Sequence, residues 1–367
     1  VTIGNSVTNF GEGAFLLCGS LASVTIPDSV TSIGGGAFIG CSSLTSIEAG
    51  KSNKEYSSED GVLFNRNKTH LIQFPRGKSR HYSIPNSVTT IERFAFLWCS
   101  SLTSITIPNS VISIKGSAFE NCRNLTSVTI PDSVTSIGDI AFGACSSLTS
   151  VTIGNSVTSI GDWAFYTCSS LTSVTIGNSV TSIGERAFLY CGRLTSVTIP
   201  DSVTSIGNKA FGFCSSLTSV TIPDSVTSIG NKAFEGCTSL KRITFGGDAP
   251  FFLGANVFSN VSGNAKVFIN PDAIAFGETF EGLPVIIREK IEINTFSKSA
   301  APFSLNFESK SGSTYIIEAT NLTELPVPWT WRWRKIGEVQ GTGSSVEFID
   351  RRKALFPRQY YRVKLVE

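Results

Sequence analysis

Residues 125–147 read LTSVTIPDSVTSIGDIAFGACSS, and close copies of this stretch fill most of the chain. An Ala-Phe pair stands just before each Cys, and successive Cys are 23 residues apart except across one gap of 58. The cysteines that mark this period are Cys18, Cys41, Cys99, Cys122, Cys145, Cys168, Cys191, Cys214 and Cys237. A fixed period of this length is typical of a solenoid, in which each repeat covers its apolar faces only with its neighbours.

The residues within one repeat predict two extended stretches and a closing turn. Val128 to Ile130 alternates apolar and polar side chains with β-branched residues, which predicts a short half-buried strand. Pro131-Asp132 ends that strand, because proline has no amide donor and the pair favours a turn. Val134 and Ile137 then predict a second inward-facing stretch, and Ala141 with Phe142 predicts the third side of the coil.

Composition and charge exclude several classes of function. The 30 basic and 28 acidic side chains give a net charge of +2, without the basic excess that binding to a nucleic-acid backbone requires. No run approaches the roughly 18 apolar residues of a membrane-spanning helix, so we expect no membrane insertion. Two His in 367 residues make a metal site, a cofactor site or His-based catalysis improbable. We therefore expect no enzyme. The chain has no Met, which predicts a processed chain or a piece of a longer one.

One repeat departs from the period. The strand position moves from Ile47 to Tyr82, which is 35 residues instead of 23. Two apolar segments, 61–64 and 71–75, flank a polar stretch at 65–68, and this pattern predicts a hairpin insert. The charge of this repeat, with both His and the basic run 76–80, favours a solvated hairpin that protrudes from the stack. A specific contact site in the same hairpin is the alternative interpretation.

The regular positions of Cys, Ser and Thr each suggest a special role that a simpler one matches. Cysteines stacked about 4.8 Å apart are near enough for disulfides, but parallel inward side chains favour buried free thiols. The absence of Cys-x-x-Cys pairs argues against zinc. Outward Ser and Thr, as at Ser127 and Thr129, are similar to an ice-binding face. Curvature of the stack would spoil lattice matching, so ice binding is a remote alternative.

The positions flanking the Ala-Phe pair differ most between otherwise near-identical coils. Surface aromatic and Arg side chains are typical anchors of protein interfaces. These positions predict a partner-binding edge, with the alternative that the side chains only shield the stack between coils. The candidate residues are Trp98, Trp163, Tyr166, Arg186, Tyr190 and Phe213.

The repeat pattern ends before the end of the chain, which predicts two domains. Residues 1–287 form the solenoid, 288–300 a linker and 301–367 a small β-sandwich with alternating strands between Ser-Gly, Pro and Gly-Thr-Gly turns. Residues 288–367 hold 13 Lys or Arg against 9 Asp or Glu, leaving 17 against 19 in the solenoid. The fold class predicted is therefore mainly β.

The unit L-x-x-[IV]-x-I-P-x-x-V-x-x-I-G-x-x-A-F-x-x-C resembles the BspA-like class of bacterial leucine-rich repeats over about residues 1 to 287. The resemblance implies a curved β-rich solenoid, here of about 12 coils, on a secreted or surface-attached protein without catalytic residues. Residues 312–322, GSTYIIEATNL, and 356–367, FPRQYYRVKLVE, are similar to a C-terminal β-module of secreted bacterial proteins.

Together these features predict exported or cell-surface recognition or adhesion, through an extended solenoid surface, of a protein or glycan ligand on another cell or matrix. The alternative is a structural spacer that presents a missing N-terminal module. An intact N-terminal sequence would discriminate the two, since a binding or catalytic module there favours the spacer.

Overall fold

The computed structural model describes residues 3–288 without a break, together with 293–296, 303–309, 311, 313–321, 334–342, 344–350 and 359–366. Every regular element within these ranges is a β-strand, so the mainly β fold class is confirmed. The chain divides into two compact units, Val1–Arg288 and Glu289–Glu367. The first unit is the solenoid.

The first strand of each coil forms a surface that we call face A. In Ser127–Ile130, Val128 and Ile130 are buried whereas Ser127 and Thr129 are exposed, as the alternation predicts. Each strand pairs in parallel with its equivalent 23 residues later, so that Val128 lies opposite Val151. The face A strands are Ser23–Ile26, Ser46–Ala49, His81–Ser83, Ser104–Thr106, Ser127–Ile130, Ser150–Ile153, Ser173–Thr175, Ser196–Thr198, Ser219–Ile222, Arg242–Phe245, Lys266–Ile269 and Leu283–Ile287.

A second, shorter strand follows the turn after face A and builds face B. Ser136–Ile137 pairs in parallel with Ser159–Ile160, and its Ile side chain points into the core. The glycine that follows is required by close approach: a Cβ on Gly161 would lie 2.6 Å from the carbonyl carbon of Gly138. The face B strands are Asn9–Phe10, Ser32–Ile33, Thr90–Ile91, Ser113–Ile114, Ser136–Ile137, Ser159–Ile160, Ser182–Ile183, Ser205–Ile206, Ser228–Ile229 and Phe252–Leu253.

The third side, face C, has turns in place of a strand and carries two buried ladders. Phenylalanine rings stack along the axis, with Phe142 and Phe165 centroids 5.3 Å apart at 4°. Beside them, each buried cysteine donates its S–H to a phenylalanine carbonyl of the preceding coil, as Cys145 does to Phe119 O at 3.1 Å. The predicted burial is confirmed for Cys41 through Cys237, whereas Cys18 is exposed.

The predicted hairpin forms within the long coil, but the prediction that it protrudes into solvent is wrong. Strands Tyr56–Glu59 and Val62–Asn65 are antiparallel, and His70–Gln73 joins them and also pairs in parallel with Thr90–Ile91 of face B. Val62, Leu63 and Phe64 are fully buried. Three consecutive apolar residues leave a strand without a polar face, so both of its sides must be covered.

The hairpin is a layer inside the stack, and it divides the core of the solenoid. Val62 and Phe64 belong to a large apolar cluster that continues to the C-terminal end of this unit. Leu63, between them, packs into a separate cluster formed by the coils before the hairpin. Because successive side chains of a strand point to opposite faces, one strand serves both cores.

The last coils close the solenoid with a small antiparallel element. Thr279–Phe280 pairs antiparallel with the final face A strand, Leu283–Ile287, and Phe280 covers the core. Face A repeats through about eleven coils from Ser23 to Ile287, against the twelve expected. The first expected strand begins at Val1 and Thr2, which lie outside the described residues.

The second unit has two three-stranded antiparallel sheets, in agreement with the predicted β-sandwich. Leu305, Phe307, Tyr315 and Ile317 form its buried core. Its strands are Ile293–Phe296, Phe303–Glu308 and Ser345–Asp350 in one sheet, and Arg334–Gln340, Thr314–Asn321 and Gln359–Val366 in the other.

The predicted linker, 288–300, differs from the structure, because it contains the strand Ile293–Phe296. This strand pairs antiparallel with Phe303–Glu308, which satisfies backbone groups that an open linker would leave to water. The rest of the predicted linker after Arg288, residues 289–292 and 297–300, lies outside the described residues.

Candidate partner-binding surface

The backbone of face C determines which side chains reach solvent. Alternate amides donate to the next coil: Ile140 N–H to Asp162 O at 2.8 Å, Phe142 N–H to Ala164 O at 2.8 Å, and Ala144 N–H to Tyr166 O at 2.7 Å. The amides between them close tight turns within the coil. Face C is therefore a third hydrogen-bonded ladder, although it contains no strand.

This ladder places residues in the left-handed backbone region at two positions of each regular coil, one before the Ala-Phe pair and one before the Cys. The φ angles are 59° at Trp163 and 56° at Thr167, and they are 56° at Arg186 and 62° at Tyr190 in the next coil. Left-handed geometry costs an L-residue roughly 1–2 kcal/mol, least for Gly and Asn. Large aromatic side chains at these positions therefore have a reason other than backbone preference.

Five of the six predicted site residues lie together, and we call this cluster the aromatic edge: Trp163, Tyr166, Arg186, Tyr190 and Phe213. Ring centroids are 4.9 Å apart for Trp163–Tyr166 and 6.2 Å for Tyr166–Tyr190, both edge-to-face. Tyr190 and Phe213 stack at 4.9 Å and 21°. The Arg186 guanidinium carbon lies 4.4 Å from the Trp163 ring centroid. The rings hold one another in place before any partner arrives.

Charged side chains border the aromatic edge. Arg186 Nη1 lies 2.6 Å from Glu185 Oε1. In the following coils, Lys209 and Lys232 approach the two carboxylate oxygens of Glu235 at 3.7 and 3.1 Å. An apolar centre with a charged rim is the usual arrangement of an interface patch.

The sixth predicted residue, Trp98, lies apart from the aromatic edge. It occupies the same backbone position as Tyr190, but the intervening coils carry Asn121, Ala144 and Thr167 there. Its nearest cation is Arg76, whose guanidinium carbon lies 5.8 Å from the ring centroid. The structure therefore divides the predicted edge into a five-residue cluster and one isolated tryptophan.

Beneath this surface the cysteines are chemically quiet. Burial raises the pKa of the Cys99 and Cys237 thiols to about 12, and it raises the pKa of Cys168, Cys191 and Cys214 well above the usual range. A neutral thiol is a poor nucleophile and a poor metal ligand. The cysteines thus act as small apolar side chains.

The described residues form no catalytic or metal-binding constellation. His81 Nδ1 lies 2.6 Å from Ser104 Oγ, but no carboxylate of the described residues hydrogen-bonds this imidazole, as a Ser-His-acid triad requires. His70 Nδ1 contacts Glu92 at 2.6 Å. In the described ranges no three His, Cys, Asp or Glu side chains are grouped to hold a metal ion. No helix of sufficient length and hydrophobicity to cross a membrane occurs there either.

The sequence reasoning missed a groove of about 760 Å³ on face A. Exposed Thr129 and Thr152 contribute to its floor, and Asn155 and Asn178 line one side. A signal for it is present in the sequence, because Gly154-Asn155 and Gly177-Asn178 replace the Pro-Asp of neighbouring coils. A hollowed face is a poor match to a flat ice lattice.

Comparison with known proteins gives the same picture of the repeats. Residues 1–81, 73–195 and 181–286 match the family described as BspA type leucine rich repeat region, in six copies. A leucine-rich repeat protein from Eubacterium ventriosum is 32% identical with a TM-score of 0.60, over 63% of this chain and 62% of that one. The chain thus spans less than two thirds of that protein's length.

Two further solved structures are similar in sequence over most of the chain. A leucine rich cell surface protein from Faecalibacterium prausnitzii is 29% identical over 72% of this chain and 57% of its own, with a TM-score of 0.39. The pneumococcal vaccine antigen PcpA is 20% identical over 73% of this chain and 56% of its own, with a TM-score of 0.40. No curated protein matches.

Proposed function

The chain belongs to the BspA-type leucine-rich repeat family, and from this premise we propose that it is a non-catalytic recognition protein that binds a partner through the aromatic edge. Repeat solenoids offer extended binding surfaces, and the family supports a recognition role in general terms. The specific surface and its partner class are our proposal.

The observation that carries the proposal is the position of the aromatic side chains on a strained backbone. Trp163, Tyr190 and Phe213 all have φ between 55 and 62°, where Gly or Asn would be more stable. In other coils the same positions hold Asn121, Asn256 and Gly236. Tyr190 is 46% exposed, which leaves apolar surface for a partner to cover. Aromatic and Arg side chains in a contiguous patch are the common anchors of interfaces.

The packing of the rings favours a protein partner over a glycan. Sugars bind aromatic residues on the open ring face, but Tyr190 and Phe213 cover each other and Arg186 covers Trp163. Ring edges and the Arg186 stack remain for contact. Such edges fit apolar side chains and carbonyl groups of a protein surface better than a pyranose ring.

An exported or cell-surface location is part of this proposal, because a partner on another cell or in the matrix can be reached only from outside. Protease treatment of intact cells that produce the full protein, followed by detection of residues 3–288, tests the location. Survival of the solenoid under conditions that digest a known surface protein would contradict it.

The binding proposal is tested with the triple variant Trp163→Ala, Tyr190→Ala, Phe213→Ala against immobilised collagen, fibronectin and laminin and a glycan array. Loss of these anchors should weaken binding to a protein probe by about 100-fold or more, since each hot-spot side chain contributes about 2 kcal/mol. Circular dichroism checks that the fold persists.

The matched control is Phe94→Ala, which changes an aromatic residue at the same left-handed position as Trp163 but outside the aromatic edge. We expect this variant to bind as the parent chain does. Equal loss in the control and the triple variant, or binding only on the glycan array, would overturn the proposal.

A further inference from the structure

Face A is interrupted at one place in the solenoid, where the long coil meets its neighbours. Ser46–Ala49 pairs only with Ser23–Ile26, and His81–Ser83 pairs only with Ser104–Thr106, so these two strands belong to separate sheets. Just before them the two coils still touch, because Gly77 N–H donates to Leu44 O at 2.7 Å. The coils therefore diverge from this contact toward face A.

The hairpin turn at Asp60-Gly61 lies in the gap between the separated strands. It satisfies one side, since Ile47 N–H donates to Gly61 O at 2.8 Å. The other side opens onto a cavity of about 540 Å³, and its lining includes Ser46, Glu48, Asp60, Lys78, His81 and Ser83. This volume lies in the range of ligand pockets, about 300–1,000 Å³.

The strand His81–Ser83 turns backbone groups toward this cavity. The Ile84 amide donates to Thr106 O at 3.1 Å, so residues 82 and 84 use the following coil. Backbone groups of successive strand residues point to opposite sides. The amides and carbonyls of His81 and Ser83 therefore face the gap, where the described part of the chain supplies no paired strand. An edge of this kind is a template for another strand.

The two walls of the cavity carry opposite charges. Glu48 accepts hydrogen bonds from Ser46 Oγ at 2.6 Å and Ser58 Oγ at 2.8 Å, which orient its carboxylate. Asp60 lies beside it at the hairpin turn, and Lys78 lies on the facing wall. Among the described residues, none of the ion pairs involves Glu48, Asp60 or Lys78. The carboxylates suit a basic side chain of a ligand.

The cavity is shallow beneath the backbone, which restricts the ligand further. Val62 and Leu63 fill the interior directly after the hairpin turn. A Cβ on Gly61 would approach Ser46 Oγ to 2.6 Å, so even this chain has no room for a side chain there. A strand added in the gap can point side chains outward, but its inward positions must be small.

We propose that this gap binds an extended peptide segment that adds a strand to His81–Ser83, with glycine at inward positions and a basic side chain against Glu48 and Asp60. Main-chain hydrogen bonds would supply affinity, and the carboxylates would select the sequence. The site is separate from the aromatic edge and does not depend on it.

The experiment uses the whole chain and a fluorescein-labelled peptide Gly-Lys-Gly-Lys-Gly, measured by fluorescence anisotropy. Two matched probes are Gly-Glu-Gly-Glu-Gly and the Lys peptide with every backbone amide N-methylated. Saturable binding of the first peptide should weaken by about tenfold or more with either control, since each removes charge-assisted or main-chain hydrogen bonds.

The matched protein variants are Glu48→Lys in the cavity and Asp201→Lys on an exposed turn of a regular coil. We expect Glu48→Lys to weaken binding by about tenfold or more and Asp201→Lys to leave it unchanged. Hydrogen exchange gives a second readout: the His81 and Ser83 amides should exchange faster than those of Ser104 and Thr106, and the peptide should slow them.

Absence of saturable binding, equal binding of the N-methylated peptide, or slow exchange at His81 and Ser83 in the free protein would each overturn the proposal. Because the aromatic edge is untouched by these variants, such a result would leave the proposed function standing. Conversely, loss of partner binding in the Trp163 triple variant would leave this peptide site intact.

Discussion

A regular coil such as 127–149 and the long coil from Ile47 to Tyr82 solve the same packing problem differently. The regular coil buries one side of each strand and stacks Phe142 and Cys145 on identical neighbours. The long coil places a hairpin across the stack, with Val62 and Phe64 in one core and Leu63 in the other. Identical coils make a continuous core, whereas an insert that is apolar on both sides becomes a partition within it.

The largest effect should come from a charge placed in the partition. Val62→Asp or Leu63→Asp buries an unpaired carboxylate and should lower the free energy of unfolding by more than about 4 kcal/mol. Hydrogen exchange should increase mainly in coils after the hairpin for Val62→Asp and in coils before it for Leu63→Asp. The control is Arg66→Asp at the exposed turn, which should change stability by less than about 0.5 kcal/mol. Similar small effects at all three positions would restore the protruding hairpin.

The next effect concerns the entry to the hairpin, which depends on one buried amide. Asn53 is fully buried; its Nδ2 donates to Pro27 O at 2.7 Å and to Val30 O at 3.0 Å, and its Oδ1 accepts from the amides of Glu55 and Tyr56. Asn53→Ala should cost about 2–4 kcal/mol in chemical denaturation, because it leaves several buried groups unsatisfied.

The control for this change is Asn155→Ala in a regular coil. Asn155 is exposed, and its Oδ1 accepts only from Asn178 N–H, at 3.2 Å, among the printed bonds of the described chain. Its loss should cost less than about 1 kcal/mol. A comparable cost for both variants would mean that Asn53 has no special role at the hairpin.

The cysteine ladder of the regular coils should make stability fall at alkaline pH. Burial raises the pKa of Cys99 to about 12, so its thiol stays neutral in the folded chain while the unfolded thiol ionises above its ordinary value of 9.0. The stabilisation is complete below about pH 8.5 and is lost as the pH rises toward 12, by about 1–2 kcal/mol per buried thiol at pH 10.

Urea unfolding at pH 8 and pH 10 measures this dependence, and Cys99→Ala should reduce its slope. Alkylation of the native protein at pH 8 should modify the exposed Cys18 first. Rapid modification of Cys122 or Cys168 in the folded protein would contradict the buried ladder.

The smallest effect should come from the left-handed turns that distinguish face C of the regular coils. Ile140 has φ of 59°, which is unfavourable for a β-branched residue. Ile140→Asn should raise stability by up to about 1 kcal/mol, because Asn tolerates this geometry. The matched change Ile137→Asn, in the buried strand position three residues earlier, should destabilise the protein strongly. Thermal unfolding compares the two, and a destabilising Ile140→Asn would show that its side-chain packing outweighs the strain.

The regular part of the fold could be predicted because its signals are local and repeated. Alternation in Ser127–Ile130 determines which side chains point inward, and Pro131 ends the strand. The buried Phe and Cys ladders follow from the period, and so does the family. The aromatic edge was predicted in part, since variation around Ala-Phe identifies Trp163 and Tyr190 but cannot show that Trp98 lies apart.

The hairpin could not be placed from sequence in the same way. Its turn residues, 65–68, are polar and its neighbours are basic, which suggests solvent. The run Val62-Leu63-Phe64 contains the opposite signal, but a short apolar run fits either a protrusion against one surface or a strand covered on both sides. Only the positions of the two flanking coils decide between these arrangements.

The sequence by itself therefore determined the period, the inward and outward sides of each strand, and the chemistry of the ladders, because strand geometry has a period of two and every coil repeats it. The tertiary structure decided the partition of the core, the left-handed positions that carry the aromatic edge, and the open strand edge at His81–Ser83. These depend on how one coil meets a different coil, and that contact joins residues whose relation no local pattern records.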